Sequence, residues 1–173
     1  MPRERAGLIK VGGREATVIG DDLQVGDPAP EFQAHSPEWE TVNALESTRG
    51  LVRIIAALPS LDTPVCDRET RTFNQRAAEL GPDIRILVVS TDLPYAQDRW
   101  CGAAGIDQVV ALSDHMTAEF GIRYGCLIKE RRILRRATFV VDRKDRVAYA
   151  SYLPKLGDEP NFNEIFEAAR RAL

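Results

Sequence analysis

The 173-residue chain has only three cysteines and two histidines. The cysteines, Cys66, Cys101 and Cys126, are too few for the disulfide framework of a small secreted protein. They form no C-x-x-C pair, and this disfavours a general disulfide reductase. With His35 or His115 as a fourth ligand their spacings match no zinc-binding pattern. The cysteines are therefore either buried apolar residues or reactive groups in a reducing compartment.

The chain also lacks the features of membrane and nucleic-acid proteins. No apolar run approaches the roughly 20 residues of a membrane-spanning helix. Residues 1–7 are charged and precede no apolar signal segment. The net charge of −3 is weak evidence against binding nucleic acid or an anionic membrane. The sequence contains no glycine-rich phosphate loop, so it gives no indication of a nucleotide-binding site. We expect a cytoplasmic protein that binds neither membranes nor nucleic acid.

The hydrophobic pattern that is present predicts an α/β fold. Residues 8–11 and 16–19, joined at Gly12-Gly13, predict a β-hairpin, and residues 41–45 a short strand or turn. Further strands are predicted at residues 51–58, 84–90, 108–112, 137–141 and 146–152, and helices at residues 64–80, 94–103, 113–120 and 160–173, with Gly121 ending the third helix. The strand at residues 51–58, the helix at 64–80 and the strand at 84–90 together imply a right-handed parallel βαβ unit. We expect one domain over residues 1–173, with a mixed sheet between helices and residues 1–20 as an N-terminal extension and hairpin.

Cys66 has the most informative surroundings of the three cysteines. Pro59 ends the apolar strand 51–58, and Thr63-Pro64 is typical of a helix start, with threonine as N-cap and proline first in the helix. Cys66 would then be the third helical residue, where free N–H groups and the helix dipole favour a reactive thiolate. Ligands of open α/β sheets bind beyond the carboxyl ends of strands, and Cys66 is predicted just beyond the end of strand 51–58. The alternatives are that Cys66 is a buried apolar residue and that Thr63 acts only as a cap.

The pattern Pro59-x-x-x-Thr63-x-x-Cys66 resembles the active-site motif of the peroxiredoxins, peroxidases that use a cysteine instead of a metal. Longer segments resemble the bacterial thiol peroxidase subfamily, which forms an intramolecular disulfide. These segments are residues 59–66, Phe73-Asn74, residues 90–97 and residues 99–102. The resemblance covers nearly the whole chain and implies a thioredoxin-like fold.

The resemblance also implies a role for each matching residue. Cys66 matches the peroxidatic cysteine, which becomes a sulfenic acid. Thr63 matches the hydroxyl that contacts the peroxide and the thiolate, and Pro59 the proline that shields the pocket. Arg136 matches an arginine that keeps the thiolate charged and orients the peroxide. Cys101 matches the resolving cysteine, which would give a Cys66–Cys101 disulfide.

The implied substrates are hydrogen peroxide and alkyl hydroperoxides, with thioredoxin or a similar dithiol protein reopening the disulfide. No metal, haem or flavin is needed. The subfamily commonly forms homodimers, for which apolar residues near the Cys66 helix and Trp100 could supply the contact. A peroxide-sensing redox switch would use the same cysteine oxidation without rapid turnover.

Some assignments stay open at this stage. Arg131, Arg132 and Arg135 lie in the same run as Arg136 and could be a solvated basic loop. Cys126 is expected to be structural but could compete as a thiol. His35, in a polar loop, and His115, in an exposed first turn, are expected to have no catalytic role. Both Cys66 and Cys101 are expected near helix starts, and both helices are expected to unwind partly when the disulfide forms.

Overall fold

The computed structural model describes residues 1–173 and contains two β-sheets and four α-helices. The strands are β1 (Glu4–Val11), β2 (Arg14–Ile19), β3 (Gln33–His35), β4 (Thr41–Asn43), β5 (Val52–Ala57), β6 (Ile84–Ser90), β7 (Val110–Ser113), β8 (Leu127–Ile128), β9 (Ile133–Leu134), β10 (Ala137–Val141) and β11 (Val147–Tyr152). The α-helices are α1 (Pro64–Ala77), α2 (Pro94–Ala104), α3 (Glu119–Arg123) and α4 (Phe162–Arg171), and residues Glu46–Thr48 form a 3₁₀ helix.

The larger sheet has seven strands in the order β11-β10-β5-β6-β7-β3-β4. Strands β5, β6 and β7 run parallel, and β10 and β3 pair antiparallel on either side of them. The predicted mixed sheet and its parallel βαβ unit are therefore confirmed. The carboxyl ends of β5 and β6 meet at one edge of this sheet, where the loops to α1 and α2 begin.

Strand β5 lies in the centre of the sheet and is buried on both faces, as its apolar sequence predicts. Val52, Ile54 and Ala56 share one core cluster with residues of α1 and α4. Ile55 and Ala57 belong to a second cluster on the opposite face, which includes residues of α3. Successive strand residues point to opposite faces, so one strand supplies both cores.

The N-terminal hairpin of β1 and β2 is confirmed, but it does not stand alone. It forms a four-stranded sheet with β8 and β9, through antiparallel pairing of β2 with β8. The sequence did not predict β8, β9 or β3. Strands of two or three residues are too short to show an alternating pattern.

The helix predicted at residues 113–120 is wrong. Ser113 ends β7, residues 115–117 form a turn, and α3 starts later. The Asp114 carboxylate accepts hydrogen bonds from the backbone N–H groups of Phe120 and Gly121, so it stabilises a helix start several residues downstream. Gly121 lies inside α3 and does not end it. A Cβ there would lie 2.8 Å from Leu134 Cδ2, so close packing explains the glycine.

The other helices match their predicted positions with changes at the ends. Helix α1 stops at Ala77 and is followed by a turn, and α4 begins at Phe162 after the N-cap Asn161. None of the helices combines the length and the apolar character that crossing a membrane would need.

Candidate active site

Cys66 is the third residue of α1, as predicted. Thr63 is the N-cap, and its hydroxyl oxygen accepts a hydrogen bond from the Cys66 backbone N–H at 3.3 Å. The same hydroxyl donates to the carbonyl oxygen of Ser60 at 3.0 Å. A hydroxyl has one proton and two acceptor positions, so Thr63 keeps one acceptor position free. The cap fixes Cys66 at the positive end of the helix dipole.

Arg136 lies directly against the Cys66 sulfur. Its Nη2 donates a hydrogen bond to Sγ at 3.1 Å, and both residues are almost completely buried. Nε and Nη2 also donate to the carbonyl oxygen of Leu156, at 3.1 and 2.9 Å. A fixed guanidinium at this distance stabilises negative charge on sulfur. Of the arginines in residues 131–136, Arg136 is therefore the one that reaches the thiol.

Arg135, one of the alternatives, is buried for another reason. Its side chain bonds to the Gly125 carbonyl oxygen and to Asp22, and it lies over the Tyr152 ring. Arg131 and Arg132 are exposed. The expectation of a solvated basic loop thus holds for these two residues but not for Arg135.

Glu69 is a site residue that the sequence reasoning missed. It lies one turn after Cys66 on α1, is buried, and forms an ion pair with Nη1 of Arg136. Burial raises the pKa of Glu69 to about 7, against the lowering effect of Arg136. Its Oε1 has no hydrogen-bond partner. An acidic residue three positions after Cys66, on the same helix face, was the available signal.

Asp92 was also missed, and it joins the loops that follow β5 and β6. Its carboxylate accepts hydrogen bonds from the Ser60 hydroxyl at 2.7 Å, the Leu61 backbone N–H at 2.8 Å and the Ser90 hydroxyl at 2.8 Å. The loop from β5 to Thr63 is therefore held by an anion at the end of the neighbouring strand. Pro59 is buried at the start of this loop.

Cys101 and Cys66 are not joined by a disulfide in this conformation. Both are free thiols; Cys66 has no exposed surface and belongs to the core between the sheet and α1. Cys101 is half-buried and is the eighth residue of α2, so the expectation that it lies near a helix start is wrong. Burial raises the pKa of the Cys101 thiol, and the charge of Asp98 raises it further.

Cys126 lies far from this arrangement. It is buried in the core cluster on the opposite face of the sheet from Cys66, and its Sγ faces the Tyr124 carbonyl oxygen at 3.4 Å. Burial raises its pKa to about 12, so it is a poor nucleophile at neutral pH.

The two histidines pair with each other instead of with a cysteine. Their ring centroids lie 5.8 Å apart, with His35 in β3 and His115 in the turn after β7. No group of three or more His, Cys, Asp or Glu side chains is arranged to hold a metal ion.

Comparison with known proteins identifies the family of this site. The Redoxin family model matches residues 24–166, which is most of the chain. The chain belongs to the Redoxin family. Among its relatives are the thiol peroxidase of Bacillus subtilis strain 168, 45% identical over 91% of this chain and 93% of that protein, and the thiol peroxidase of Clostridium acetobutylicum, 45% identical over 95% and 98%.

Two solved structures that resemble this chain agree with this assignment. A peroxiredoxin-like protein from Aquifex aeolicus superposes with a TM-score of 0.87 at 34% identity, covering 97% of this chain and 99% of that one. The thiol peroxidase from Chromobacterium violaceum superposes with a TM-score of 0.81 at 25% identity, covering 94% of this chain and 95% of that one. The predicted thioredoxin-like fold is confirmed. The chain is a thiol-dependent peroxidase, and its reaction takes a peroxide and a thiol reductant.

Proposed function

We propose that Cys66 is the peroxidatic cysteine. The supporting observation is the guanidinium of Arg136 at 3.1 Å from a sulfur that is also fixed at a capped helix start. The Cys66 thiolate would attack one peroxide oxygen, forming an S–O bond as the O–O bond breaks. The leaving oxygen takes a proton and departs as water or an alcohol. Cys66 is then a sulfenic acid, oxidised by two electrons.

Thr63 and Arg136 have hydrogen-bonding capacity left for the peroxide. The free acceptor position of the Thr63 hydroxyl can receive the peroxide O–H. Four hydrogen bonds are formed by the guanidinium of Arg136, to Cys66, Glu69 and twice to Leu156. A guanidinium has five N–H donors, so one remains for a peroxide oxygen. Buried Pro59 would keep water away from the sulfur.

We assign the resolving role to Cys101. Its sulfur would attack the sulfenic sulfur of Cys66, forming the S–S bond as the S–O bond breaks. The oxygen leaves as water with the proton from Cys101. A disulfide requires the two Cα atoms to lie within about 7 Å of each other. Because Cys66 is fully buried against Arg136, we infer that the backbone around at least one cysteine moves before the disulfide forms. Thioredoxin would reopen the disulfide by thiol–disulfide exchange.

We also propose that the protein works in the cytoplasm. Its small number of cysteines is typical of proteins in a reducing compartment.

A turnover assay tests these roles. Consumption of NADPH would be followed with thioredoxin, thioredoxin reductase and hydrogen peroxide. We expect Cys66→Ser to be inactive and Cys101→Ser to undergo one oxidation without thioredoxin-linked recycling. Cys126→Ser is the matched control and should turn over like the wild type. Full activity of Cys66→Ser would refute the assignment, and one stoichiometric oxidation of the wild type would indicate a redox switch.

We also propose a homodimer formed through an exposed apolar surface beside the active-site loops. Trp39, Leu93, Tyr95 and Met116 are exposed large apolar residues, and the Trp39 and Tyr95 rings lie 5.1 Å apart. This surface differs from the expected contact at Trp100, which packs against the core. Sedimentation should give a dimer for the wild type and a monomer for Tyr95→Glu. A monomeric wild type would exclude the proposal.

A further inference from the structure

A set of contacts joins the residue after Cys66 to the residue before Cys101. Trp100 Nε1 donates a hydrogen bond to Asp67 Oδ1 at 3.1 Å. The other oxygen of Asp67 accepts from Arg71 Nε at 2.9 Å. Arg71 Nη1 in turn donates to the Ala104 carbonyl oxygen at 3.3 Å, and its guanidinium lies 5.7 Å from the Trp100 ring centroid. We call Asp67, Arg71 and Trp100 the clasp.

The clasp holds α2 in an orientation that does not suit disulfide formation. Trp100 is the side chain of α2 that packs against the core containing Cys66. Consecutive residues of an α-helix point about 100° apart around its axis. While Trp100 faces α1, the Cys101 side chain therefore points in a direction about 100° from this around the axis of α2. Cys66 is fully buried at the start of α1. A movement of α1 or α2 that brings Cys101 to this buried sulfur would strain the clasp.

Oxidation of Cys66 would itself loosen the clasp. In the sulfenic acid the sulfur carries oxygen in place of the thiolate charge, so the charge-assisted hydrogen bond from Arg136 to Sγ is weakened. The added oxygen also has to fit into a site where Cys66 has no exposed surface, and overpacking of this kind is destabilising. Asp67 lies in the same first helical turn as Cys66, so a shift of this turn moves the acceptor away from Trp100.

We propose that the clasp is a positioning device that controls how fast Cys101 reaches the oxidised Cys66. Closed, it holds α2 against the first turn of α1, which the Thr63 cap and Arg136 keep in place for the peroxide. Open, it frees α2 for the second step. This inference rests on the proposed pairing of Cys66 with Cys101. None of the three clasp side chains forms a hydrogen bond with the sulfur of Cys66 or Cys101, so they act through the helices.

Trp100→Phe is the most direct test, because it keeps an aromatic ring and removes the N–H donor. Rapid mixing with peroxide, quenching with an alkylating agent and mass spectrometry separates the two steps. We expect the peroxide-dependent formation of sulfenic acid to be unchanged. The peroxide-independent formation of the disulfide should become about fivefold faster, as loss of a partly exposed hydrogen bond to a charged group implies.

Over-oxidation gives a second readout that a purely structural role would not move. Sulfinic acid forms when a second peroxide reaches sulfenic Cys66 before Cys101 does. The peroxide concentration that over-oxidises half of the protein should therefore rise in Trp100→Phe by the same factor as the disulfide rate. Ile84→Val, a core deletion at the amino end of β6, controls for lowered overall stability and should leave both quantities unchanged.

A double-mutant comparison locates the effect in the clasp. In an Asp67→Ala background, Trp100→Phe should change the disulfide rate little further, because the bond it removes is already absent. Equal disulfide rates in wild type and Trp100→Phe would overturn the proposal, as would an equal increase in Ile84→Val.

Failure of the cysteine pairing can be recognised separately. If the wild type forms no Cys66–Cys101 disulfide, the pairing is wrong, and amide hydrogen exchange of α2 in the reduced protein decides the clasp. Faster exchange in Trp100→Phe than in Ile84→Val supports the clasp, and equal exchange rejects it.

Discussion

The chemical difference between Cys66 and Cys126 comes from what each buried sulfur faces. Cys66 Sγ faces the guanidinium of Arg136, whereas Cys126 Sγ faces a backbone carbonyl oxygen, and burial raises the pKa of Cys126 to about 12. Both side chains are fully buried. We therefore propose that the direct hydrogen bond from a guanidinium, and not burial, makes Cys66 the reactive thiol of the two.

Replacing Arg136 by lysine keeps the charge but removes the planar fork of donors. The compact ammonium group of lysine lacks the fork by which Arg136 bonds Cys66, Glu69 and the Leu156 carbonyl oxygen from separate nitrogen atoms. We expect the second-order rate constant for Cys66 oxidation to fall by about 100-fold, as for the loss of one fixed donor in other active sites. Stopped-flow measurement with hydrogen peroxide checks this. Arg131→Lys, at an exposed position, is the matched control, and a similar loss there would contradict the role of Arg136.

Glu69 should make stability depend on pH. Its folded pKa is raised from 4.5 to about 7 by burial, so between these values the folded protein binds more protons than the unfolded chain. The contribution of Glu69 to the free energy of unfolding should therefore be largest below about pH 4.5. It should fall as the pH rises towards 7. Asp114, whose pKa is raised to about 6 by burial, adds a change of the same sign.

Urea unfolding between pH 5 and 7.5 measures this dependence. The decrease in the free energy of unfolding with rising pH should be smaller in Glu69→Gln, because glutamine does not titrate. The contribution of Asp114 remains in both proteins. An equally steep decrease in Glu69→Gln would show that Glu69 is already ionised throughout this range.

At the scale of elements, Asp92 couples the end of β6 to the loop that carries Thr63. Asp92→Ala leaves the Leu61 N–H and the Ser60 hydroxyl without their acceptor. We expect Cys66 oxidation to slow by about tenfold, the effect of roughly 1.4 kcal/mol, because the Thr63 cap loses its support. Asp92→Asn, which keeps one acceptor oxygen, should lose less.

Asp107→Asn is the control for the Asp92 experiment, because Asp107 is exposed and lies after α2. The rate constant for Cys66 oxidation in Asp107→Asn should match that of the wild type. If Asp92→Ala also matches the wild type, the loop does not depend on this carboxylate.

For the whole molecule, we propose that residues 1–173 unfold as one domain. Three residues separate α3 from strand β8 of the four-stranded sheet, and two residues separate β9 from β10 of the larger sheet. Cys126 and Leu127 lie in the same core cluster as Phe139 of β10. Tryptophan fluorescence and far-UV circular dichroism should therefore report a single coincident transition in urea. Two separated transitions would show that the hairpin sheet unfolds independently.

The sequence predicts the long, strongly patterned elements better than the short ones. Strand β5 and helix α1 carry their own signals, an apolar run and a Thr-Pro start. Strands β8 and β9 depend on pairing with a hairpin more than 100 residues away, which no local pattern reveals. The same limit applies to the site: Cys66 and Thr63 are neighbours in sequence, whereas the bonds of Glu69 and Asp92 become evident only once distant segments are brought together.

The central claim is that Cys66 is oxidised first and Cys101 resolves it. It is tested most directly by treating the reduced protein with one equivalent of hydrogen peroxide, alkylating the remaining thiols, and mapping the disulfide by mass spectrometry. The account predicts a Cys66–Cys101 disulfide with Cys126 alkylated after unfolding. A disulfide that includes Cys126, or oxidation that leaves Cys66 as a free thiol, would contradict it.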